Sequence, residues 1–188
     1  MSDHQFIKNY LKDFIELLQP DDEIIEELVR VRHLLQEISI ANKKVLIVGN
    51  GGSAAIASHF SVDLTKNAKV RCINFNEASL ITCFANDYGF EHWAEKAVDF
   101  YGDEGDLLIA ISSSGQSENM INAVKAARNG NLKSVITMTG FLEDNPLKKL
   151  GDINLWVNNK SYNFVENIHQ VWLLAITDLV IGNREYPA

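Results

Sequence analysis

The spacing of hydrophobic residues changes once along the chain, near residue 44. Before that point, apolar residues recur at helical spacing in two stretches separated by Pro20, which predicts two amphipathic helices. We expect the second helix to be capped by Asp21 or Asp22, because an aspartate side chain can accept a hydrogen bond from a free amide at a helix start. The apolar positions are Phe6, Tyr10, Phe14 and Leu17 in the first stretch, and Ile24, Leu28, Val31, Leu35 and Ile38 in the second. The first helix needs a partner for this face, either the second helix or another subunit.

After residue 44 the chain alternates between short apolar runs and helical stretches. The runs are VLIVG, VRCINF, LLIAI, KSVITMTG and INLWVN, and we predict helices over 54–66, 91–100, 118–129 and 164–181. Continuous apolar strands separated by helices indicate a parallel sheet covered on both faces, because parallel strands need crossover connections. We therefore predict one α/β domain over residues 1–188, with a helical extension over 1–42 and an αβα core over 43–182.

The amino-acid composition limits the classes of molecule that we expect this protein to bind. The 188 residues include 17 Lys and Arg against 25 Asp and Glu, for a net charge of −8, and no basic run exceeds a lysine pair. We expect no direct nucleic-acid binding, since that affinity depends on clustered cations. The first twenty residues do not resemble a signal peptide, and no apolar run reaches the length of a membrane span. We therefore expect a cytoplasmic protein that does not bind membranes, with Cys72 and Cys83 as reduced core thiols.

A glycine-rich turn follows the first predicted strand, with the sequence Gly-Asn-Gly-Gly-Ser at 49–53. Such a turn presents backbone amides at a helix N-terminus, where an anion is favoured. The string is not GxGxxG and has no Walker lysine, so we expect no nucleotide cofactor. The alternative is a glycine-rich turn that binds no ligand.

A serine-rich turn follows the LLIAI strand, with the sequence Ser-Ser-Ser-Gly-Gln-Ser at 112–117. Hydroxyls and free amides at one helix entrance suit a phosphate monoester, and Ser117 is placed to cap the helix that follows. By itself this could be an ordinary loop and cap. Two anion-suited turns after two strands of one sheet favour a small phosphorylated ligand, because such ligands collect beyond the carboxyl ends of the strands.

The segments GNGGSAAIASHFSVDL, FANDYGF, GDLLIAISSSGQSENMINAV and ENIHQVWLLAITDLV resemble the sugar isomerase (SIS) domain family, in its phosphoheptose isomerase branch. The resemblance runs from about Lys44 to Ile181. It implies a flavodoxin-like three-layer sandwich with a five-stranded parallel sheet, assembled as a homotetramer with sites at subunit boundaries. It also implies conversion of sedoheptulose 7-phosphate to D-glycero-D-manno-heptose 7-phosphate, for lipopolysaccharide or capsule synthesis.

The resemblance also assigns binding residues. It places the phosphate on Ser112, Ser113, Ser114 and Ser117, and the sugar on Asn50, Gly51, Gly52, Ser53, Asn86, Asp87 and Glu166.

Catalytic and metal-binding residues are where this chain departs from the family pattern. His59 and Asp63 share one helical face, but Asp63 stands where the family has a glutamate, and Leu174 stands where it has a catalytic histidine. The remaining catalytic candidates are Asp63, Glu166 and His169, the last if its helix rotates slightly. Alternatively, His59, Asp63 and Glu166 hold one zinc or other divalent ion per subunit, as a Lewis acid. The alternatives without a catalytic role are that His59 is a hydrogen-bonded helix histidine, that the carboxylates are solvated, and that this face of the last helix packs in the core.

Two classes of function remain open at this point. The first is a ketose-aldose isomerase that moves a proton through an enediol. The second is a catalytically silent sugar-phosphate sensor, or a tetrameric adaptor that binds a replication initiator. Loss of the histidine at Leu174 favours the second class, and the retained glycine and serine turns favour sugar-phosphate binding.

Overall fold

The computed structural model of this chain describes residues 1–185, which form a five-stranded parallel sheet between two layers of helices. The strands are β1 (Val45–Gly49), β2 (Cys72–Asn74), β3 (Leu107–Ser112), β4 (Ser134–Thr139) and β5 (Ile153–Trp156). The helices are α1 (Asp3–Leu17), α2 (Asp22–Ile40), α3 (Gly52–Lys66), α4 (Ala78–Tyr88), α5 (Trp93–Tyr101), α6 (Glu118–Asn129) and α7 (Tyr162–Ile181). A short 3-10 turn covers Lys148–Leu150. The predicted α/β sandwich with a five-stranded parallel sheet is confirmed.

The strand order is β2-β1-β3-β4-β5, so the chain changes direction across the sheet between β1 and β3. At this switch point the connections that leave the two strands diverge, which opens a crevice beyond their carboxyl ends. Gly49 at the end of β1 pairs with Ile111 near the end of β3. The glycine-rich and serine-rich turns therefore leave the sheet side by side.

Alternate residues of each strand pack into two hydrophobic cores, one on each face of the sheet. Val45 and Ile47 of β1 belong to the core beneath α2, α3 and α7, whereas Leu46 and Val48 belong to the core beneath α5 and α6. Helix α7 is long and apolar enough to cross a membrane, but much of its apolar surface lies in the first core. Its hydropathy is that of a central helix in a sandwich.

The N-terminal helices differ from the predicted extension over 1–42. Helix α2 begins after Asp21, whose side chain accepts a hydrogen bond from the Ile24 amide at 2.9 Å, as predicted. It contributes Val31, Leu35 and Ile38, with no exposed surface, to the first core. Helix α2 is thus part of the sandwich, and only α1, which has no buried residue, lies outside it.

One helix, α4, has no counterpart among the predicted elements. It begins after Glu77, whose side chain accepts a hydrogen bond from the Leu80 amide, although glutamate is not a favoured capping residue. The helix has no fully buried residue, but Leu80, Ile81 and Phe84 pack against the second core. Cys83 lies on it in an exposed position, which corrects the prediction that both cysteines are core thiols; Cys72 is half-buried, and both thiols are free.

Candidate active site

A cavity of about 100 Å³ lies at the switch point, between the turns that follow β1 and β3. It is lined by Asn50, Ser53, Ile111, Ser112, Ser113, Ser114, Ser117, Tyr162 and Glu166. In addition to Glu166, six of the predicted binding residues therefore line this one cavity. The cavity is far smaller than the ~300 Å³ or more that encloses a typical small ligand, so it can hold one chemical group of a ligand rather than the whole molecule.

The serine-rich turn supplies hydroxyls from a short stretch of chain. Gly115 has φ +65°, a conformation that L side chains rarely adopt, and it turns the chain so that Ser114 and Ser117 both reach the cavity. Ser117 precedes α6 as predicted, but its hydroxyl lies 2.9 Å from the hydroxyl of Ser112 and makes no capping bond. Ser113 is 5% exposed, and its Oγ has no hydrogen-bond partner within residues 1–185. A buried hydroxyl without a partner is costly, so Ser113 is suited to bind a ligand oxygen.

The glycine-rich turn supplies free backbone amides. Gly51 caps α3 with φ +55° and no side-chain capping bond, so the first amides of α3 have no intrahelical acceptor. Asn50 exchanges two amide hydrogen bonds with Asn119 of α6, at 2.9 and 3.0 Å, which fixes the two turns to one another. The N-termini of α3 and α6 therefore meet at the cavity, where both helix dipoles favour an anion.

Glu166 of α7 closes the cavity on the side of α3. Its carboxylate lies where a side chain at position 52 would be, so only glycine at that position lets the two helices approach this closely. Burial raises the pKa of Glu166 above its ordinary value. A carboxyl group with a raised pKa beside a ligand cavity is a candidate for proton transfer.

The lining of this cavity contains no lysine or arginine within the part of the chain that the structure describes. Any anion there is held by hydroxyls, amides and helix dipoles, as in other phosphate sites built on helix N-termini.

A second cavity of about 370 Å³ adjoins the first and shares Asn50 and Ser117 with it. Phe90 and Glu91 line its far side, and the Glu91 carbonyl accepts a hydrogen bond from Asn122 of α6 at 3.0 Å. The FANDYGF segment therefore reaches the site through Phe90.

Asn86 and Asp87, the two residues of this segment that were predicted to line the sugar, lie elsewhere. Both are exposed on α4, where they bond to each other, and neither lines either of these two cavities. The structure does not bring them to the site within one chain.

His59 and Asp63 lie on the face of α3 that meets α7. Asp63 Oδ2 is 3.2 Å from His59 Nε2, and the other ring nitrogen, Nδ1, is 3.1 Å from Nε2 of Gln170 on α7. Gln170 follows Glu166 by four residues, which places both on one face of α7. Sequence reasoning missed Gln170, although its spacing from Glu166 was visible.

The divalent metal implied by the family resemblance does not fit these side chains as they lie. Among residues 1–185, no three histidine, cysteine or acidic side chains are close enough to share an ion. Glu166 is turned toward Gly52, and both ring nitrogens of His59 face protein groups. The predicted set of His59, Asp63 and Glu166 is therefore not assembled, and we derive no step through a metal.

His169, predicted as a catalytic candidate, lies in the core. Its side chain has no exposed surface, and its Nε2 donates a hydrogen bond to the Thr139 carbonyl at 3.1 Å. Burial lowers the pKa of His169 to about 4, so the ring is neutral at physiological pH. A side chain without exposed surface cannot contact a substrate, so the catalytic role predicted for His169 is wrong.

Comparison with known proteins gives this architecture a family. The family model described as "SIS domain" matches residues 9–140, which is more than half of the chain. The chain belongs to the SIS domain family. Two of the four segments that predicted this membership contain the turns that line the cavity.

Similar proteins share nearly the whole fold. A phosphoheptose isomerase of Fusobacterium nucleatum is 38% identical over 175 residues, which cover 89% of this chain and 86% of that protein. A solved phosphoheptose isomerase from Neisseria gonorrhoeae superposes with a TM-score of 0.88 at 29% identity, over 95% of this chain and 99% of its own. One from Francisella tularensis gives 0.87 at 26% identity, over 97% and 100%. These relatives support the isomerase class and do not favour the adaptor.

Proposed function

We propose that this chain is a sugar-phosphate isomerase that interconverts sedoheptulose 7-phosphate and D-glycero-D-manno-heptose 7-phosphate. The observation that carries the proposal is the meeting of Ser113, a buried hydroxyl without a partner, with Glu166, a carboxyl group of raised pKa, in one cavity. The similarity to phosphoheptose isomerases over most of the chain supports the choice of substrate.

The phosphate of the substrate binds among the serines. The cavity holds a single group of about this size, and Ser112, Ser113, Ser114 and Ser117 offer their hydroxyls to it. Hydrogen bonds from neutral donors to an ionised group contribute about 1.5–3 kcal/mol each. The phosphate therefore anchors one end of the substrate, and the sugar carbons extend out of the cavity.

Proton transfer between the first two carbons takes place on the α7 side. Glu166 removes a proton from C1 of the ketose to give an enediol and returns a proton to C2 to give the aldose, while a proton moves from O1 to O2. The His59–Asp63 pair lies on the face of α3 that meets α7, where it is placed to contact oxygens of the sugar.

The proposed assembly is a homotetramer in the cytoplasm. One side of α1 packs on α7, where the ring of Tyr10 lies 4.6 Å from that of Phe164. The other side exposes about half of each of four large apolar side chains, namely Phe6, Ile7, Leu11 and Ile15. A contiguous apolar face of this kind is typical of an interface.

Light scattering during size-exclusion chromatography tests the assembly. We expect a mass of four chains for the wild type and a smaller assembly for Leu11→Glu with Ile15→Glu. A monomeric wild type would contradict the proposal.

A comparison of phosphorylated and free sugars tests the proposed reaction. We expect NMR to show aldose formation from sedoheptulose 7-phosphate, and none from sedoheptulose at the same concentration, because the free sugar lacks the group that the serines bind. Saturable binding of the 7-phosphate with no conversion would favour the sensor, and equal conversion of both sugars would remove the role of the serines.

A further inference from the structure

Gln170 stands out among the residues around the site because it joins the two helices that carry the chemistry. Its side-chain nitrogen lies 3.1 Å from Nδ1 of His59, a residue 111 positions earlier in the chain. It does not line the serine cavity. Any effect of Gln170 on the reaction must therefore pass through His59.

The donor and acceptor chemistry of the trio has one consistent arrangement. An amide nitrogen can only donate, so Nδ1 of His59 accepts from Gln170 and its lone pair is occupied. The proton of the neutral ring then sits on Nε2, which faces Oδ2 of Asp63 at 3.2 Å. On its other oxygen, Asp63 accepts a hydrogen bond from Asn67.

We propose that Gln170 is a positioning residue that holds His59 in the tautomer with its proton on Nε2, so that His59, Asp63 and Gln170 work as a hydrogen-bonded trio and not as a metal centre. The proposal rests on the proposed function in one respect, since sugar oxygens are what the trio contacts. It differs from the metal site that the family resemblance implies. The reason is that both nitrogens of His59 already face protein groups and that the carboxylate of Glu166 lies against Gly52.

Two nearly isosteric variants separate hydrogen bonding from packing. Gln170→Met keeps the volume and removes the donor, whereas Gln170→Glu keeps the shape and offers only acceptors. We expect both variants to lower kcat about tenfold, the value of one lost hydrogen bond, with little change in KM for sedoheptulose 7-phosphate. Asn167→Ala is the matched control, since Asn167 is exposed on the same helix and bonds only to the Asn163 carbonyl. A Gln170→Glu variant with wild-type kcat would overturn the proposal.

The tautomer can be observed without any substrate. In nitrogen-15 NMR spectra of the wild type, we expect an unprotonated Nδ1 and a protonated Nε2 for His59. In Gln170→Glu, we expect a proton on Nδ1 as well as on Nε2, because the ring then lies between two carboxylates that can only accept. A wild-type ring protonated on Nδ1 would contradict the assignment, whatever the enzyme turns over.

Titration with zinc chloride alone tests the part of the proposal that the trio is not a metal centre. We expect calorimetry to show no difference in zinc binding between the wild type and His59→Ala, and metal analysis to find no stoichiometric zinc in the purified protein. A site that depends on His59 and binds zinc at about 1 μM or tighter would overturn the trio. If the tautomer and zinc results agree with expectation but no heptulose phosphate is converted, the trio is supported and the proposed function fails.

Discussion

The proposed site has two halves that are built in different ways. One is the serine cradle, formed by Ser112, Ser113, Ser114 and Ser117, and the other is the α3–α7 helix pair. The cradle comes from two short turns that follow neighbouring strands, and residues 112–117 alone supply four of its hydroxyls. The helix pair brings together side chains that are distant in sequence, such as His59 and Gln170. In the proposed site, local sequence therefore determines the phosphate-binding half, whereas helix packing determines which side chains form the other half.

Glu166→Gln should have the largest effect, because Glu166 belongs to both halves. Loss of a group that transfers a proton lowers kcat by about a hundredfold or more, while the serines keep KM nearly unchanged. Burial raises the pKa of this carboxyl, so its ionised form opposes folding as pH rises through that pKa. We therefore expect the thermal midpoint at neutral pH to stay the same or rise.

Steady-state kinetics and thermal unfolding of Glu166→Gln would be compared with those of Asp178→Asn, a carboxylate three turns further along α7 that should be silent. Unchanged kcat in Glu166→Gln would move proton transfer to Asp63.

His169 provides a contrast, because it is a histidine that belongs neither to the cradle nor to the contacts between α3 and α7. Its pKa is about 4 in the folded chain against about 6.5 in an unfolded one, so the unfolded state takes up more protons between these values. The stability it contributes is full above pH 6.5 and is lost as pH falls toward 4. From pH 7 to pH 5 the free energy of unfolding should fall by about 2 kcal/mol on this account.

Urea unfolding at both pH values measures this loss. In His169→Leu the fall should be smaller by about 2 kcal/mol. Equal pH dependence in His169→Leu and the wild type would show that the ring is not held neutral in the core.

Ser113→Ala should have a smaller effect, confined to the cradle. Removal of one hydroxyl that bonds a phosphate should weaken binding of the 7-phosphate about tenfold. Because that hydroxyl has no partner among residues 1–185, the free energy of unfolding should be unchanged or slightly higher.

Ser134→Ala is a control for which we expect the opposite result. Calorimetry would measure the affinity of both variants, and urea unfolding would measure their stability. Ser134 is also buried, but its hydroxyl bonds Asp152 at 2.9 Å, so this variant should lose stability and keep its affinity. Equal affinity of Ser113→Ala and the wild type would remove Ser113 from the cradle.

The cradle could be predicted from sequence because its parts lie close together in the chain. The apolar runs identified all five strands, and the turns after β1 and β3 had to be neighbours once these two strands lay together. Glycine at 51 and 115 indicated tight turns, and both have positive φ. What the sequence did not reveal is which serine lacks a partner, because that depends on packing around Ser113.

The helix pair could not be predicted in the same way, because the phase of a helix against its neighbours is set by the whole core. Successive residues on a helix are separated by about 100°, so His169 and Gln170 lie on quite different sides of α7. With Glu166 facing α3, Gln170 also meets α3, and His169 enters the core beside β4. Helix α4 was missed although Leu80, Ile81 and Phe84 recur at helical spacing and pack against the second core, and the positions of Asn86 and Asp87 were lost with it.

Solvent isotope incorporation is the most direct test of the central claim that the cradle and Glu166 together catalyse an aldose-ketose isomerisation. Sedoheptulose 7-phosphate would be incubated with the protein in D2O, and NMR would follow both the aldose signals and deuterium at C2. We expect aldose product that carries deuterium at C2 with the wild type, and at least a hundredfold slower incorporation with Glu166→Gln. Saturable binding with neither product nor deuterium, at any wild-type concentration, would contradict it.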